Sequence, residues 1–471
     1  MHEGLDRAHE LASAYLADVA AAPVGPPVDP AVLHAALGGP LPAQGSAPAE
    51  VIDELARGVA PGLVASAGPR YFGFVVGGGV EAAVGADWLT SAWDQMSGLY
   101  ISAPAASVAE LVVAGWLREL LGLPERAAVG LTTGCQMANF TGLAAARQHV
   151  LASAGWDVKV QGLQAAPRVR VLIGEEAHPT LLLALSYLGL GSGAAERIAV
   201  DDQGRIRADA LEAALGAGDR GPTIVCAQLG NVNTGAFDPV SEVNEIAHRH
   251  GAWVHVDGAF GLWASASPRL AHLTEGVDGC DSWATDAHKY LNVPYDCGVV
   301  AVADPSPLET AMTWDAAYIP RDDAGDPYAH VPEASRRARA FPVWAAIRQL
   351  GREGIATMIE SCADRAVEMA ELFATEPGVR VLNEVVLNQV LVRFDAATDA
   401  AGDELTRRVI TRAQREGVAW FGGTVWRGVT AMRVSVSNHR TTCDDARLSV
   451  EAVLSALAQE RAARAIAPTH A

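Results

Sequence analysis

Apolar positions change their period several times along the chain, and the changes mark its architecture. Over "AASVAELVVAGWLRELLGLP" (105–124), Val108, Leu111, Val112, Leu117, Leu120 and Leu121 recur at helical spacing before Gly122 and Pro124 supply stop signals. Beyond it, short apolar runs at 127–131, 168–174, 197–200, 223–229, 252–256, 281–285 and 298–303 predict strands. Helix-spaced stretches at 137–150, 179–188, 208–215 and 240–250 lie between most of them. Strands alternating with helices predict an α/β fold with a mostly parallel sheet and helices on both faces. No strand runs into a G-x-G-x-x-G, which disfavours a dinucleotide-binding arrangement.

Near residue 346 the pattern lengthens. "VWAAIRQLGREGIATMIESCADRAVEMAELFAT" reads as one long helix, and "VRVLNEVVLNQVLVRF" reads as two strands. A helix at 403–416, a strand at 431–437 and a closing helix at 442–465 follow. Residues 1–70 instead carry one or two amphipathic helices joined by the linkers "AAPVGPPVDP" and "GGPLPAQGSAP". Such a helical arm more often packs on another subunit than folds alone. The expected organisation is an N-terminal arm over 1–70, a large domain over 71–345 and a smaller C-terminal α/β domain over 346–471. A chain of 471 residues exceeds what one core usually holds.

Charge and cysteine usage narrow the setting. The net charge is −20, from 55 acidic and 35 basic residues, and no basic stripe breaks the acidic surplus. That argues against nucleic acid and anionic membranes as partners. Cys135, Cys226, Cys280, Cys297, Cys362 and Cys443 form no C-x-x-C pair, so a reducing compartment is the economical reading. The first 20 residues lack the positive start and apolar run of a signal peptide. No segment approaches the roughly 20 apolar residues that span a bilayer. A soluble, cytoplasmic protein is expected.

Chemistry is sought after each strand, because ligands of an open parallel sheet bind beyond its carboxyl edge. After 127–131 comes "TTGCQMANF", a small-residue loop entering a helix; it is either a tight turn or an anion cradle. After 168–174 comes "EEAHPT", where His178 is either a helix cap or a functional imidazole. After 252–256 comes Asp257, a turn aspartate or a charge partner. After 281–285 come His288 and Lys289, in a chain with few lysines. A lysine set between buried strands is paired or is used as a nucleophile.

The joint pattern is more specific than its parts. Pyridoxal 5'-phosphate needs a phosphate cradle, a carboxylate for its ring nitrogen, a flat group against its ring and a lysine amine. The loop at 132–140, His178, Asp257 and Lys289 follow one another along the chain, each at a strand end, and together supply that set.

"LTTGCQMANFTGLAAAR", "EEAHPT", "QLGNVNTGAFDPV", "HVDGAFG", "DAHKYLNVPYDCG" and "ASRRARAFPVWAAIRQLGREG" resemble the group II pyridoxal-phosphate-dependent amino acid decarboxylases. That family includes the aromatic amino acid, glutamate and cysteine-sulfinate enzymes. The resemblance runs from about residue 68 to the end and is strongest over 128–355. It implies the fold type I architecture of PLP-dependent transferases, a homodimer with its active site at the subunit interface, and decarboxylation of an L-amino acid to the amine. Carried over position by position, it gives Lys289 as the cofactor-bearing catalytic lysine, Asp257 as the ring-nitrogen partner and His178 as the stacking imidazole, a catalytic candidate that could share proton delivery with Tyr318. Ala259 falls under the other ring face, and Gly134, Cys135, Gln136 and His288 fall at the phosphate. In the loop "MTWDAAYIPRDDAGDPYAH", Tyr318 stands at the distance from Lys289 of the family's proton-donating tyrosine, although a packed aromatic would read the same way. Aldehyde-forming members often carry phenylalanine there.

The chain also departs from the family. "TTGCQMAN" replaces T-S-G-G-S-E-A-N, so Thr133 or Gln136 would supply the polar contact to phosphate. Val232 replaces a threonine that contacts the cofactor's phenolic oxygen. Asp286 stands where animal members carry asparagine, unfavourable beside a phosphate unless it caps a backbone N–H or points away. On the substrate side, Tyr71, Phe72 and Trp93 could wall an apolar or aromatic side chain, and Arg70 could pair with an acidic one. Aldehyde formation, aldol cleavage and transamination (with Arg433 as carboxylate partner) are the rival chemistries, and a non-catalytic homologue is the rival class.

Overall fold

The computed structural model describes residues 2–25, 28–217, 221–314 and 325–466. One unit comprises Gly77–Ala366 and Asn383–Val390; the other comprises Met1–Val76, Val367–Leu382 and Leu391–Ala471. The N-terminal segment therefore groups with the C-terminal one instead of standing apart as an arm. The division near the middle of the chain falls at 366 rather than 345.

Seven strands organise the larger unit: β1 (Ala128–Thr132), β2 (Arg170–Gly174), β3 (Glu196–Ile198), β4 (Thr223–Gln228), β5 (Trp253–Asp257), β6 (Ser282–Asp286) and β7 (Gly298–Val302). Each lies where the apolar runs predict a strand. They pair in the order β1-β7-β6-β5-β4-β2-β3. Pairing is parallel except at β7, which runs antiparallel to both β1 and β6. Every residue of β1, β5, β6 and β7 is buried, so both faces of this sheet are covered. That burial explains why the strands read as continuous apolar runs and not as alternating ones. The helix Cys135–Ser153 packs on β5, β6 and β7, and the helix Val240–Arg249 packs on β4 and β5.

One buried ion pair ties the segment after residue 325 to the sheet. Arg336 Nη2 lies 2.7 Å from Glu110 Oε1, and Nη1 donates to the carbonyl of Leu131 at 3.1 Å. Both side chains are almost fully buried. Removing one partner leaves the other charge desolvated and alone. Arg336→Ala should therefore cost about 3–5 kcal/mol in chemical denaturation, whereas an exposed pair such as Arg352–Glu119 should cost under about 1 kcal/mol.

The second unit carries a sheet of β8 (Val379–Val381), β9 (Gln389–Phe394), β10 (Gly422–Trp426) and β11 (Val429–Ser435), in the order β10-β11-β9-β8. The helix Asp399–Glu416 packs on β11 and on the closing helix Cys443–Ile466. β10 escapes the sequence pattern. The long helix Ala340–Ala374 is interrupted at Gly351, whose φ of 63° a side chain rarely adopts, although the apolar pattern continues across it. Among the described residues, no helix is long and apolar enough to cross a membrane.

Candidate active site

β1, β2, β5 and β6 deliver the candidate residues to the carboxyl edge of one sheet. From β1 the chain turns through Thr133 and Gly134 into the helix Cys135–Ser153, with Thr132 Oγ1 donating to the Gly134 carbonyl at 3.0 Å. The first amides of that helix have no acceptor within it and carry the positive end of its dipole. A Cβ on Gly134 would lie 3.3 Å from His288 Cε1 and 3.5 Å from Asp286 Oδ1, so glycine keeps open the space between loop and imidazole. Thr133 and Gln136 are half-buried beside it, and Cys135 is buried.

His288 faces the same space. Its Nδ1 accepts the backbone N–H of Cys297 at 3.1 Å, which leaves the proton on Nε2, 3.4 Å from Asp286 Oδ1. Burial, with help from the Lys289 charge, lowers its pKa against the pull of Asp286, so the imidazole is a neutral donor near pH 7. Tyr295 lies against it at a tilt of 30°, with ring centroids 4.3 Å apart.

Lys289 follows in the tight turn after β6. Its carbonyl accepts from the backbone and side-chain nitrogens of Asn292 at 3.2 and 3.1 Å, and Asn292 adopts a left-handed φ of 53°. Nζ lies 2.9 Å from Asp286 Oδ2. Burial works against its charge, but the Asp286 carboxylate, with Asp257 farther off, raises its pKa overall. Asp286 meets the condition set by the sequence: its Oδ1 accepts the Cys135 backbone N–H at 2.6 Å.

Asp257, at the end of β5, is buried. Its Oδ1 accepts from the Ala259 N–H at 3.3 Å and from the Cys135 thiol at 3.5 Å. Burial, then the charges of Asp257 and Asp286, push the Cys135 pKa well up, so this sulfur is a neutral donor. Asn139 in turn donates to Cys135 Sγ at 3.7 Å, and its Oδ1 accepts from His255 Nε2 at 2.9 Å, while His255 Nδ1 accepts from Ser282 Oγ at 2.8 Å. Burial depresses His255 to about 3, so it is neutral. Sequence reasoning passed over this buried chain behind Asp257. The signal was present: residues 255 and 257 share a strand face.

His178 combines both readings open to it. Its Nδ1 accepts the Thr180 backbone N–H at 3.3 Å and lies 2.7 Å from Thr180 Oγ1, capping the helix Pro179–Tyr187. It also lines a small pocket with Asp257, Ala227 and Gln228. Asn231, beside Val232, orders the turn that follows β4. Its Oδ1 accepts from Asn233 and Thr234 amides at 2.8 and 3.2 Å, and its Nδ2 donates to Glu176 at 3.1 Å.

The substrate-side candidates divide. Arg70 donates to the carbonyls of Val418 at 2.8 Å and Ala22 at 3.3 Å and sits 3.9 Å from Asp445, so it is committed within its own unit. Phe72 is 1% exposed and stacked on Phe421, and Tyr71 stacks on Trp420. Trp93 is half exposed and meets Phe341 edge-on. Tyr318 lies outside the described residues.

A carboxylate-paired lysine, an open loop at a helix start with a donor imidazole beside it, and a second carboxylate at the neighbouring strand end fit pyridoxal phosphate.

Comparison with known proteins agrees. The model of the pyridoxal-dependent decarboxylase conserved domain matches residues 30–395. Tryptophan decarboxylase 1 of Oryza sativa subsp. japonica is 30% identical over 464 residues, covering 92% of this chain and 89% of the relative. The 4-hydroxyphenylacetaldehyde synthase of Rhodiola rosea is 26% identical over 417 residues, covering 85% and 83%. The crystal structure of Oryza sativa TDC with PLP and tryptamine aligns with a TM-score of 0.90 at 25% identity, covering 97% of each chain.

Proposed function

The chain belongs to the pyridoxal-dependent decarboxylase family, and from that premise we propose that it converts an aromatic L-amino acid to its amine and CO2. One observation carries the reading: Lys289, Asp257, His178 and the start of the helix Cys135–Ser153 converge on one carboxyl edge of a parallel sheet. The cofactor, when bound, supplies an electrophilic carbonyl and a ring that takes up the electron pair released with CO2.

The protein's residues divide the remaining work. The helix amides and the His288 Nε2–H would hold the phosphate. Asp257 would place its charge against the ring nitrogen, with Cys135 and the Ala259 amide fixing that carboxylate. His178, oriented by Thr180, would lie against one ring face, with Ala259 under the other. Lys289 must lose its proton to act as a nucleophile, and Asp286 is the nearest group to that proton. Tyr318 would deliver a proton to the carbon that has lost CO2, general-acid work worth about 10²–10⁴-fold.

An aromatic substrate is supported by the relatives' names and by the commitment of Arg70, which removes one partner for an acidic side chain. Aldehyde formation is the second reading, favoured by the Rhodiola relative and opposed by the tyrosine at 318. The purified protein with pyridoxal phosphate should therefore release tryptamine, tyramine or phenethylamine from the parent amino acid, read by mass spectrometry. Tyr318→Phe should shift product from amine toward aldehyde; an unchanged amine yield would remove Tyr318 from the mechanism.

Assembly and setting complete the proposal. A groove of about 800 Å³ is lined by Leu89, Trp93, Ala109, Phe341 and Trp344, and Trp88 and Leu111 lie exposed on the helices that flank it. An apolar surface of this kind supports a homodimer. All six cysteines are free thiols and five are buried, which supports a reducing cytoplasm.

A further inference from the structure

The pairing with Lys289 explains only one oxygen of Asp286. Its side chain is 4% exposed. Oδ1 takes the Cys135 amide at 2.6 Å and lies 3.4 Å from His288 Nε2, while Oδ2 takes the Lys289 ammonium at 2.9 Å. One buried anion therefore touches three groups that, on the reading above, receive the cofactor: a helix amide, an imidazole and the amine.

We propose that Asp286 is an internal competitor for the phosphate end of the cofactor. Without phosphate, it stabilises the helix start and balances the lysine charge, both of which favour an anion at this point. A phosphate drawn to the same helix start meets a carboxylate already bonded to the first amide, and two anions in a buried site repel strongly. Asp286 must release Cys135 for the phosphate to take that amide. The consequence is a cofactor held more weakly, and exchanged more readily, than the cradle alone would allow. An asparagine at 286 would instead offer a neutral donor.

The proposal rests on the pyridoxal phosphate reading, and its test separates the two. Dissociation constants of pyridoxal phosphate and of pyridoxal, which lacks the phosphate, are measured on the cofactor-free full chain by the absorbance of the lysine-bound carbonyl compound. Binding of inorganic phosphate is measured by calorimetry on the same protein. Asp286→Asn should tighten inorganic phosphate by about tenfold or more and pyridoxal phosphate by about tenfold more than pyridoxal, whose own change reports the altered basicity of Lys289. Asp286→Ser, which also removes the charge, should move both phosphate-bearing ligands the same way.

Equal tightening of pyridoxal phosphate and pyridoxal would overturn the proposal, because Asp286 would then act only through the basicity of Lys289. Unchanged or weaker phosphate binding in both variants would overturn it as well and leave Asp286 a helix cap. A wild-type chain that binds no pyridoxal phosphate would overturn the cofactor reading and this proposal with it.

Discussion

Lys289→Ala should lose turnover by more than about 10⁴-fold, the scale on which removal of an essential nucleophile is felt. The chain has only two lysines, and the other, Lys159, is engaged with the carbonyls of Thr310 and Thr313. No second amine can therefore stand in at this site. Alanine also strips Asp286 of its counter-charge, so lost activity could be blamed on a damaged fold. Lys289→Arg resolves this. Arginine keeps a permanent positive charge within reach of Asp286 but cannot give up its proton to become a nucleophile. It should preserve the melting temperature better than alanine while remaining equally inactive and failing to develop the absorbance of a lysine-bound cofactor. Residual turnover in Lys289→Arg above about 1% of wild type would remove Lys289 from its assigned role.

Much of this candidate site was legible because its residues lie at or within a few positions of strand ends, and each strand is buried enough to show as an apolar run. Asp257 and Lys289 need only that rule. What escaped the sequence depends on contacts between distant segments. Asp286 could be flagged as anomalous, but its solution is an amide at Cys135, 151 positions away. The Cys135–Asn139–His255–Ser282 chain likewise joins a helix to two strands. The reversed direction of β7 left no trace in the strand's own composition, which matches that of its parallel neighbours, but it shows in the connection that precedes it. The connection over 287–297 holds no helix with which to cross the sheet, and a parallel return needs a dozen or more residues. β10 was missed because its two glycines and half-exposed pattern resemble a loop. The break at Gly351 is invisible to periodicity because both helical pieces keep the same apolar spacing.

Asp257 is where a turn aspartate and a charge partner make different predictions. The carboxylate accepts the Ala259 amide and the Cys135 thiol through one oxygen, a geometry that a turn residue alone would also need. Asparagine can reproduce those two contacts through its carbonyl oxygen but carries no charge. Asp257→Asn should therefore fold with nearly unchanged stability and lower kcat by about 10²–10³-fold, the usual scale for losing one preorganised electrostatic partner in a buried site. Asp257→Ala should lose activity to a similar or greater extent and also cost about 1–3 kcal/mol in stability, because the buried Cys135 thiol and the partly buried Ala259 amide lose their acceptor. Rates and melting curves for the two variants separate the contributions. If Asp257→Asn retained more than about a third of wild-type kcat, the charge would be irrelevant and Asp257 would be a turn residue. A large loss in kcat with unaltered melting would instead locate its contribution in the chemistry, because the fold would have registered no change.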